Sequence, residues 1–125
     1  MSILITGAAG FIGSRLTDAL LTEKETIIAI DNFNDFYNPQ VKRNNIKHHL
    51  SNPSFYLYEG DILDAAFVNE VIEKHQPHCV IHLAARAGVR PSLENPKLYY
   101  DVNVMGTLNV LEAMKNKNVP QLVFA

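Results

Sequence analysis

The chain has 125 residues, which is enough for one domain with a hydrophobic core but not for two. With 47% hydrophobic residues, 19% charged residues and a formal net charge of −2, its composition is that of an ordinary globular protein. These values argue against a nucleic-acid-binding surface, which would need clustered lysine and arginine.

Five short apolar runs mark the expected strands. Longer segments of helical period separate them, which is the pattern of a parallel sheet flanked by helices. Within each run the apolar residues are continuous rather than alternating, as in strands that are buried on both faces. The runs cover residues 3–5, 26–30, 55–58, 79–83 and 122–124.

Four helices are expected between these runs. Apolar stripes at helical spacing predict helices over 11–20 and 67–72 and a long helix over 96–117. A further short helix is expected over 39–50. It contains the most basic stretch of the chain, 42–49, which we interpret as a solvated helix face.

The alternation predicts one α/β domain over residues 1–125, with a Rossmann-like, doubly wound parallel sheet. The last apolar run continues to Ala125 as a strand and not as a polar tail. It is therefore interpreted as the middle of a buried strand. We expect the sequence to be the amino-terminal part of a longer protein, truncated after about the fifth strand.

Three glycines stand between the first strand and the first helix. Gly7, Gly10 and Gly13 would permit a tight turn, a close approach of the backbone to a pyrophosphate, and close packing of helix on strand. The amino end of the helix would offer free N–H groups to the same phosphates. The spacing G-x-x-G-x-x-G departs from the common G-x-G-x-x-G fingerprint, so an ordinary glycine-rich turn without a ligand stays open at this point.

An acidic residue, Asp31, ends the second run. It stands 18 positions after Gly13, where the acidic residue of a dinucleotide site binds a ribose 2′-hydroxyl. A carboxylate there would repel a 2′-phosphate, and no lysine or arginine follows before Lys42. NAD is therefore predicted in preference to NADP. The alternative is a structural turn in which Asp31 and Asn32 begin the loop.

These residues and three later segments resemble the extended short-chain dehydrogenase/reductase family. The family's glycine motif, T-G-x-x-G-F-I-G, is matched without a departure over residues 6–13. Its acidic motif after the third strand is matched by Asp61-Ile62, and its small-residue motif after the fourth strand by residues 82–85. Its N-V-x-G-T-x-N segment is matched by residues 103–109, so the resemblance covers essentially the whole chain.

The resemblance implies how NAD would be held. Asp61 would accept a hydrogen bond from the adenine amino group, and Asn103 would lie near the nicotinamide end. The alternatives are that Asp61 caps a helix, although Asp64 is better placed as that cap, and that Asn103 hydrogen-bonds to the backbone. The implied cofactor contacts are Gly7, Gly10, Phe11, Ile12, Gly13, Asp31, Asn32, Asp61, Ile62, Leu83, Ala84, Ala85, Ala87 and Asn103.

Two further stretches, 31–37 with Lys42 and 87–96, resemble the sugar-nucleotide epimerases of that family, especially the UDP-glucuronate 4-epimerases. The resemblance implies a nucleoside-diphosphate sugar as substrate and hydride transfer at the sugar C4 through a transient ketone. Related 4,6-dehydratases and decarboxylases carry similar stretches and remain alternatives. Arg90 is a candidate contact to an acidic sugar or a diphosphate, with a surface salt bridge as the alternative.

The proton-transfer residues of the family are not found in this sequence. They are a Ser or Thr just after the fifth strand and a Tyr-x-x-x-Lys on the next helix, and none of the five tyrosines has a lysine four positions later. Catalytic residues are therefore expected beyond Ala125, and the fragment alone is expected to be inactive. A non-catalytic NAD-binding regulator and a phosphate-binding interaction module are the alternatives. The family's use of the helix at 96–117 implies a homodimer for the longer protein.

No metal site is predicted. Residues 75–79 contain two histidines and a cysteine, but Pro77 breaks the helix that would align them. His48 and His49 are adjacent and should point to different sides of any regular element. The single cysteine excludes an internal disulfide, and the short apolar start predicts neither a signal peptide nor a membrane span, so a cytoplasmic location is expected.

Overall fold

The computed structural model describes residues 1–125 as alternating strands and helices. The strands are β1 (Ser2–Thr6), β2 (Thr26–Asp31), β3 (Phe55–Glu59), β4 (Cys79–His82) and β5 (Gln121–Phe124). The helices are α1 (Phe11–Thr22), α2 (Pro39–Ile46), α3 (Ala65–His75), α4 (Val89–Glu94), α5 (Pro96–Tyr100) and α6 (Gly106–Asn116). A 3₁₀ turn (Lys47–His49) follows α2, and a π-helical turn (Asp101–Met105) joins α5 to α6. All five predicted strands are confirmed.

The strands form one parallel sheet in the order β3-β2-β1-β4-β5. β1 lies in the middle, with Ile5 opposite Ala29 of β2 and Ile81 of β4. The chain passes from β3 on one side of β1 to β4 on the other, so the direction of strand order reverses at β1. In such sheets ligands bind beyond the carboxyl ends of the strands at the point of reversal. The predicted Rossmann-like fold is confirmed, and the candidate site is expected beside the ends of β1 and β4.

Alternate residues of the central strands enter two hydrophobic layers, which explains why the apolar runs are continuous. On one face, Ile5 of β1 belongs to a layer against which Leu16 of α1 packs. On the other face, Leu4 shares a layer with Val68 of α3 and Val110 of α6. Leu4 and Ile5 are both fully buried, and burial of each contributes about 1.5–3 kcal/mol to the free energy of unfolding.

The predicted helices are present, but two of them differ in detail. The helix expected over 96–117 is α5 and α6 joined by the π-helical turn, and α4 just before it was not predicted. The basic stretch 42–49 is solvated on one side, where Arg43, Lys47 and His48 are exposed, whereas Lys42, Ile46 and His49 are buried. Ile46 belongs to the hydrophobic layer on the α1 side of the sheet, and this packing turns one side of α2 inward.

The last strand differs from the expectation in its burial. β5 is a strand, but its residues are exposed, with Val123 at 52% and Phe124 at 63%. The expectation that this strand is buried is therefore wrong, because β5 lies at the edge of the sheet and pairs with β4 alone.

No helix of the structure has both the length and the apolar character needed to cross a membrane.

Candidate functional site

A cleft of about 410 Å³ opens beyond the carboxyl ends of the central strands, where the sheet order reverses. All but one of the expected cofactor contacts line it. These are Gly7, Gly10, Phe11, Ile12, Gly13, Asp31, Asn32, Asp61, Ile62, Leu83, Ala84, Ala85 and Ala87. Asn103 and Arg90 are not among the residues that line the cleft.

The glycine loop turns sharply at Gly7, directly after β1. Gly7 has a φ of +71°, a conformation that residues with a side chain rarely adopt. A Cβ at this position would also lie 2.9 Å from the backbone nitrogen of Ala84, in the segment that follows β4. The loop and the end of β4 therefore approach each other backbone to backbone, which leaves the space beside them open.

The amino end of α1 faces this opening with unpaired donors. Gly10 precedes the helix and has no capping side chain, and the N–H groups of Phe11, Ile12 and Gly13 have no acceptor within the chain. Free N–H groups and the positive end of the helix dipole attract anions, phosphates in particular. The side chains of Phe11 and Ile12 are 77% and 66% exposed, so apolar surface borders the same opening.

Asp31, at the end of β2, is held in place by the backbone. Its Oδ2 accepts a hydrogen bond from the N–H of Ala9 at 3.0 Å, and its Oδ1 accepts one from the N–H of Phe33 at 2.8 Å. The bond to Phe33 is the structural turn that was the alternative interpretation, and the structure combines it with a position in the cleft wall. Each carboxylate oxygen can accept a further hydrogen bond.

Lys42 is the main residue of the cleft that the sequence-based interpretation missed. Its Nζ lies 3.9 Å from Asp31 Oδ1 and donates a hydrogen bond to Asn34 Oδ1 at 3.2 Å. It also lies 5.2 Å from the centre of the Tyr37 ring. All four residues line the cleft. Three of them fall in the stretch 31–37 and the fourth is Lys42, which together carried the finer resemblance, so a signal was present.

Tyr37 is held in its neutral form beside this group. Burial, together with the negative charge of Asp31, raises the pKa of Tyr37 above its ordinary value of 10.0. A phenol with a raised pKa stays protonated at neutral pH and is a poor general base. Tyr37 is therefore suited to packing and hydrogen bonding rather than to proton abstraction.

The segment after β3 forms the part of the cleft wall next to Asp31 and Asn32. Asp61 Oδ1 accepts a hydrogen bond from the N–H of Leu63 at 2.9 Å, and the Asn32 amide approaches Asp61 Oδ2 at 3.4 Å. The cap of α3 is Asp64, whose side chain accepts from the N–H of Phe67 at 3.1 Å. The predicted assignment of the cap to Asp64 is confirmed, and Asp61 is left in the cleft wall.

Beneath the cleft, three side chains form a linear hydrogen-bond network, with His82 between Thr6 and Thr107, that was not predicted. His82 Nδ1 lies 2.6 Å from Thr6 Oγ1, and its Nε2 lies 2.9 Å from Thr107 Oγ1. The Thr107 hydroxyl donates to the carbonyl of Asn103, so it accepts from His82 Nε2–H. The Thr6 hydroxyl then donates to Nδ1 and accepts from the N–H groups that follow β4. Burial lowers the pKa of His82 below its ordinary value of 6.5, in agreement with a neutral ring.

Asn103 and Arg90 occupy positions outside the cleft lining. The Asn103 amide accepts from the N–H of Arg86 at 2.8 Å and donates to the carbonyl of Arg86 at 3.0 Å. This is the backbone hydrogen bonding that was the alternative for Asn103, and it fixes the segment that carries Ala85 and Ala87. Arg90 lies on α4, is exposed, and forms no ion pair within the chain.

Comparison with known proteins gives a consistent picture. Residues 4–125 match the family described as GDP-mannose 4,6 dehydratase. The chain is 44% identical over 122 residues to a UDP-glucuronate 4-epimerase of Thermodesulfobacterium geofontis, covering 98% of this chain and 38% of that protein. It is 42% identical over 125 residues to UDP-glucuronate 4-epimerase 3 of Arabidopsis thaliana, covering 99% and 29%. The chain thus spans about a third of the length of the curated relatives it matches.

Solved structures agree with these relatives. The fold matches a UDP-glucuronic acid 4-epimerase from Bacillus cereus, in complex with UDP-glucuronic acid and NAD, with a TM-score of 0.90 and 35% identity. That match covers 99% of this chain and 39% of the other. A UDP-glucose 4-epimerase from Thermus thermophilus, in complex with NAD, matches with a TM-score of 0.85 and 34% identity over 99% of this chain and 37% of that one.

Proposed function

Because this chain belongs to the GDP-mannose 4,6 dehydratase family, within the extended short-chain dehydrogenases/reductases, we propose that it is the NAD-binding part of a nucleoside-diphosphate-sugar 4-epimerase. The observation that carries the proposal is the cleft at the reversal of strand order, where the glycine loop, Asp31 and a wall of small residues converge. The proposed substrate is UDP-glucuronate, because relatives named as UDP-glucuronate 4-epimerases are 36–44% identical to this chain.

The glycine loop fits the pyrophosphate of NAD. Gly7 keeps the loop against the end of β4, and the free N–H groups of residues 11–13 supply donors at a positive helix end. No acidic side chain lies in the first turn of α1, so nothing there would repel a phosphate. The exposed side chains of Phe11 and Ile12 would be covered by the bound cofactor, which would explain why they are exposed in its absence.

The acidic residues fit the adenosine end. Asp31 presents a carboxylate already oriented by two backbone N–H groups, so its remaining lone pairs can accept from a ribose hydroxyl. Asp61 lies beside the Asp31–Asn32 segment, and Asp61 and Ile62 both line the part of the cleft proposed to hold the adenine. The small residues after β4, Ala84, Ala85 and Ala87, leave room for the other ribose and the nicotinamide.

The first test is the preference between the two dinucleotides. A 2′-phosphate would bring negative charge against Asp31, and the one cation at that position, Lys42, is already engaged by Asp31 and Asn34. We expect calorimetry to give an NAD affinity at least about tenfold higher than the NADP affinity, a difference of about 1.4 kcal/mol. The variant Asp31→Asn should narrow this gap. The matched control is Asp35→Asn, an exposed acid of the same loop, and it should leave the gap unchanged. Equal affinities in the unmodified chain would contradict the assignment of Asp31.

The reaction itself would need residues outside this chain. Bound NAD supplies a hydride acceptor and donor, which 4-epimerisation uses when the sugar C4 is oxidised to a ketone and reduced from its other face. The proposed role of the cleft residues in this chain is to bind and orient NAD, because the sequence contains no Tyr-x-x-x-Lys motif for proton transfer. We propose that the Ser or Thr and the Tyr-x-x-x-Lys of the family follow Ala125 in the whole protein, and that this chain alone is inactive.

The whole protein is the right material for testing activity. Its sequence after Ala125 should contain the Tyr-x-x-x-Lys motif, and its absence would leave a non-catalytic NAD-binding regulator as the function. With UDP-glucuronate, chromatography followed by mass spectrometry separates the three related reactions. A new chromatographic peak with the mass of the substrate supports the epimerase, a product that has lost water indicates a dehydratase, and a product that has lost carbon dioxide indicates a decarboxylase.

Three further parts of the proposal concern a substrate contact, the oligomeric state, and the location and partners of the whole protein. Arg90 is exposed and free of ion pairs, so it is available to bind the sugar carboxylate or the diphosphate. Val104, Leu108 and Leu111 are between 42% and 48% exposed along one side of the long helix, which supports a homodimer of the whole protein. A cytoplasmic location and the absence of nucleic-acid or membrane partners also remain predictions.

A further inference from the structure

Three side chains with metal-ligating atoms meet on the surface between α1 and the 3₁₀ turn that follows α2. His49 Nε2 lies 2.5 Å from Asp18 Oδ1, and His48 Nε2 lies 3.0 Å from the same oxygen. The ligand atoms of all three residues lie within 4.8 Å of one another. The expectation that His48 and His49 point to different sides is therefore wrong, because the tight 3₁₀ turn brings both rings to one partner.

The two rings are directed inward to different degrees. The centres of the two imidazoles are 3.8 Å apart, and the His49 ring also packs against Phe55 at 5.5 Å. The side chain of His49 is 10% exposed, that of Asp18 is 33% exposed and that of His48 is 60% exposed. The group thus has one anchored ligand, one accessible ligand and an opening to water through which an ion can enter.

Asp18 lies at the centre of the group. Both histidines approach its Oδ1, while the guanidinium of Arg15 lies 3.9 Å from its Oδ2. Asn52 and Thr22 border the same surface pocket of about 310 Å³ and offer further oxygen atoms. This pocket shares no residue with the nucleotide-sized cleft.

We propose that Asp18, His48 and His49 form a binding site for a divalent transition-metal ion, with zinc as the ion favoured by this ligand set. Two imidazole nitrogens and a carboxylate oxygen are ligands that zinc uses, at about 2.0–2.2 Å, with water as the fourth ligand of an open tetrahedral site. Two ligands of a tetrahedral zinc are about 3.4 Å apart. The separations of 2.5 and 3.0 Å therefore need to widen by less than about 1 Å when the ion enters.

An ion at this site would connect two elements that are distant in the sequence. Asp18 lies 30 and 31 positions before His48 and His49 in the sequence. The bound ion would therefore connect α1 to the 3₁₀ turn that follows α2. Helix α2 carries Lys42, which lines the cleft. The site therefore predicts stabilisation of the fold by zinc, since an ion that binds only the folded state raises the free energy of unfolding by mass action.

The direct experiment is a titration of the metal-free 125-residue chain with Co²⁺ and Zn²⁺. We expect saturable binding of one ion per chain, a visible absorption band for Co²⁺ that excess Zn²⁺ displaces, and a rise in Tm. At a zinc concentration about 100 times the dissociation constant, the rise should be on the order of 5–10 °C. Absence of saturable binding would overturn the proposal and leave a carboxylate that is hydrogen-bonded to two imidazoles.

Two variants and a control test the ligands. His48→Gln changes an exposed side chain and Asp18→Asn keeps the shape of the carboxylate, so both should fold. Each should weaken zinc binding at least about tenfold and abolish most of the rise in Tm. The control, His78→Gln, changes a histidine outside the group and should bind zinc as the unmodified chain does. Binding that survives both variants, or that is lost in the control, would place the ion elsewhere and contradict the proposal.

Discussion

At the scale of single residues, Gly13 is fixed by contact with the backbone and not by an unusual φ. A Cβ on Gly13 would lie 2.1 Å from the carbonyl oxygen of Gly7 and 2.9 Å from Cα of Ala8. These are main-chain atoms, which cannot rotate away as a side chain can. The first turn of α1 therefore packs directly on the loop after β1, and this keeps the helix end close to the proposed phosphate position.

Replacing this glycine tests the contact. Gly13→Ala should lower the free energy of unfolding by about 2–4 kcal/mol, because the loop or the helix must move to admit the methyl group. Urea unfolding followed by circular dichroism measures the loss. The matched control is Gly10→Ala, whose Cβ would meet Gly7 O at 3.3 Å and so cost less than about 1 kcal/mol. Equal losses in the two variants would show that the close contact is not what requires glycine at position 13.

At the scale of elements, the π-helical turn between α5 and α6 is the main departure from regular structure. It places the Asn103 side chain against the backbone of Arg86, where the amide pairs with both the N–H and the carbonyl. It also starts α6 at Gly106, where a Cβ would lie 2.5 Å from Cδ1 of Ile62. One turn thus holds the segment after β4 and brings α6 close to the segment after β3.

The Asn103 contact gives a prediction at this scale. Asn103→Ala leaves two partly buried backbone groups of Arg86 without their partner, so we expect a loss of about 1–3 kcal/mol in the free energy of unfolding. Hydrogen exchange of the Arg86 amide should become faster in the same variant. Asn69→Ala is the control, since the Asn69 amide donates one exposed hydrogen bond to Ala65. It should change stability by less than about 0.5 kcal/mol, and a similar loss in both variants would refute the role of Asn103.

At the scale of the whole molecule, His82 joins three elements through one neutral ring. Thr6 belongs to β1, His82 to β4 and Thr107 to α6, so the network connects the centre of the sheet to the long helix. A proton added at Nδ1 would face the Thr6 hydroxyl oxygen, which already accepts two backbone N–H bonds. Protonation would therefore break the network at its centre.

The pH dependence of stability follows from the lowered pKa of His82. The unfolded chain takes up a proton near pH 6.5, whereas the folded chain takes it up only at lower pH. The neutral His82 therefore contributes to the free energy of unfolding, and this contribution is complete above pH 6.5. As the pH falls from 6.5 towards the pKa of His82 in the folded chain, the free energy of unfolding decreases by up to about 1.4 kcal/mol per pH unit. The pKa of His75, lowered by burial and by Lys74, acts in the same direction. Nitrogen-15 NMR should show His82 neutral with its proton on Nε2 at pH 6.5, and an imidazolium there would contradict the network.

The order of the elements could be predicted from the amino-acid pattern, and the resemblance to the family supplied most of the residues of the cleft wall. The strands were predictable because burial on both faces leaves continuous apolar runs, which are a property of the local sequence. The glycine loop and Asp31 were predictable because their spacing along the chain is set by the length of one strand, one turn and one helix. These features depend on residues within about 30 positions of each other.

Contacts between side chains that are distant in the sequence could not be predicted in this way. Lys42 reaches Asp31, His82 lies between Thr6 and Thr107, and the two adjacent histidines reach Asp18. Each contact depends on how α2, its 3₁₀ turn or α6 packs on the sheet, and the pattern of apolar residues does not fix that rotation and register. Polar side chains that are far apart in sequence find their partners through packing, and so the network and the proposed ion site became visible only in three dimensions.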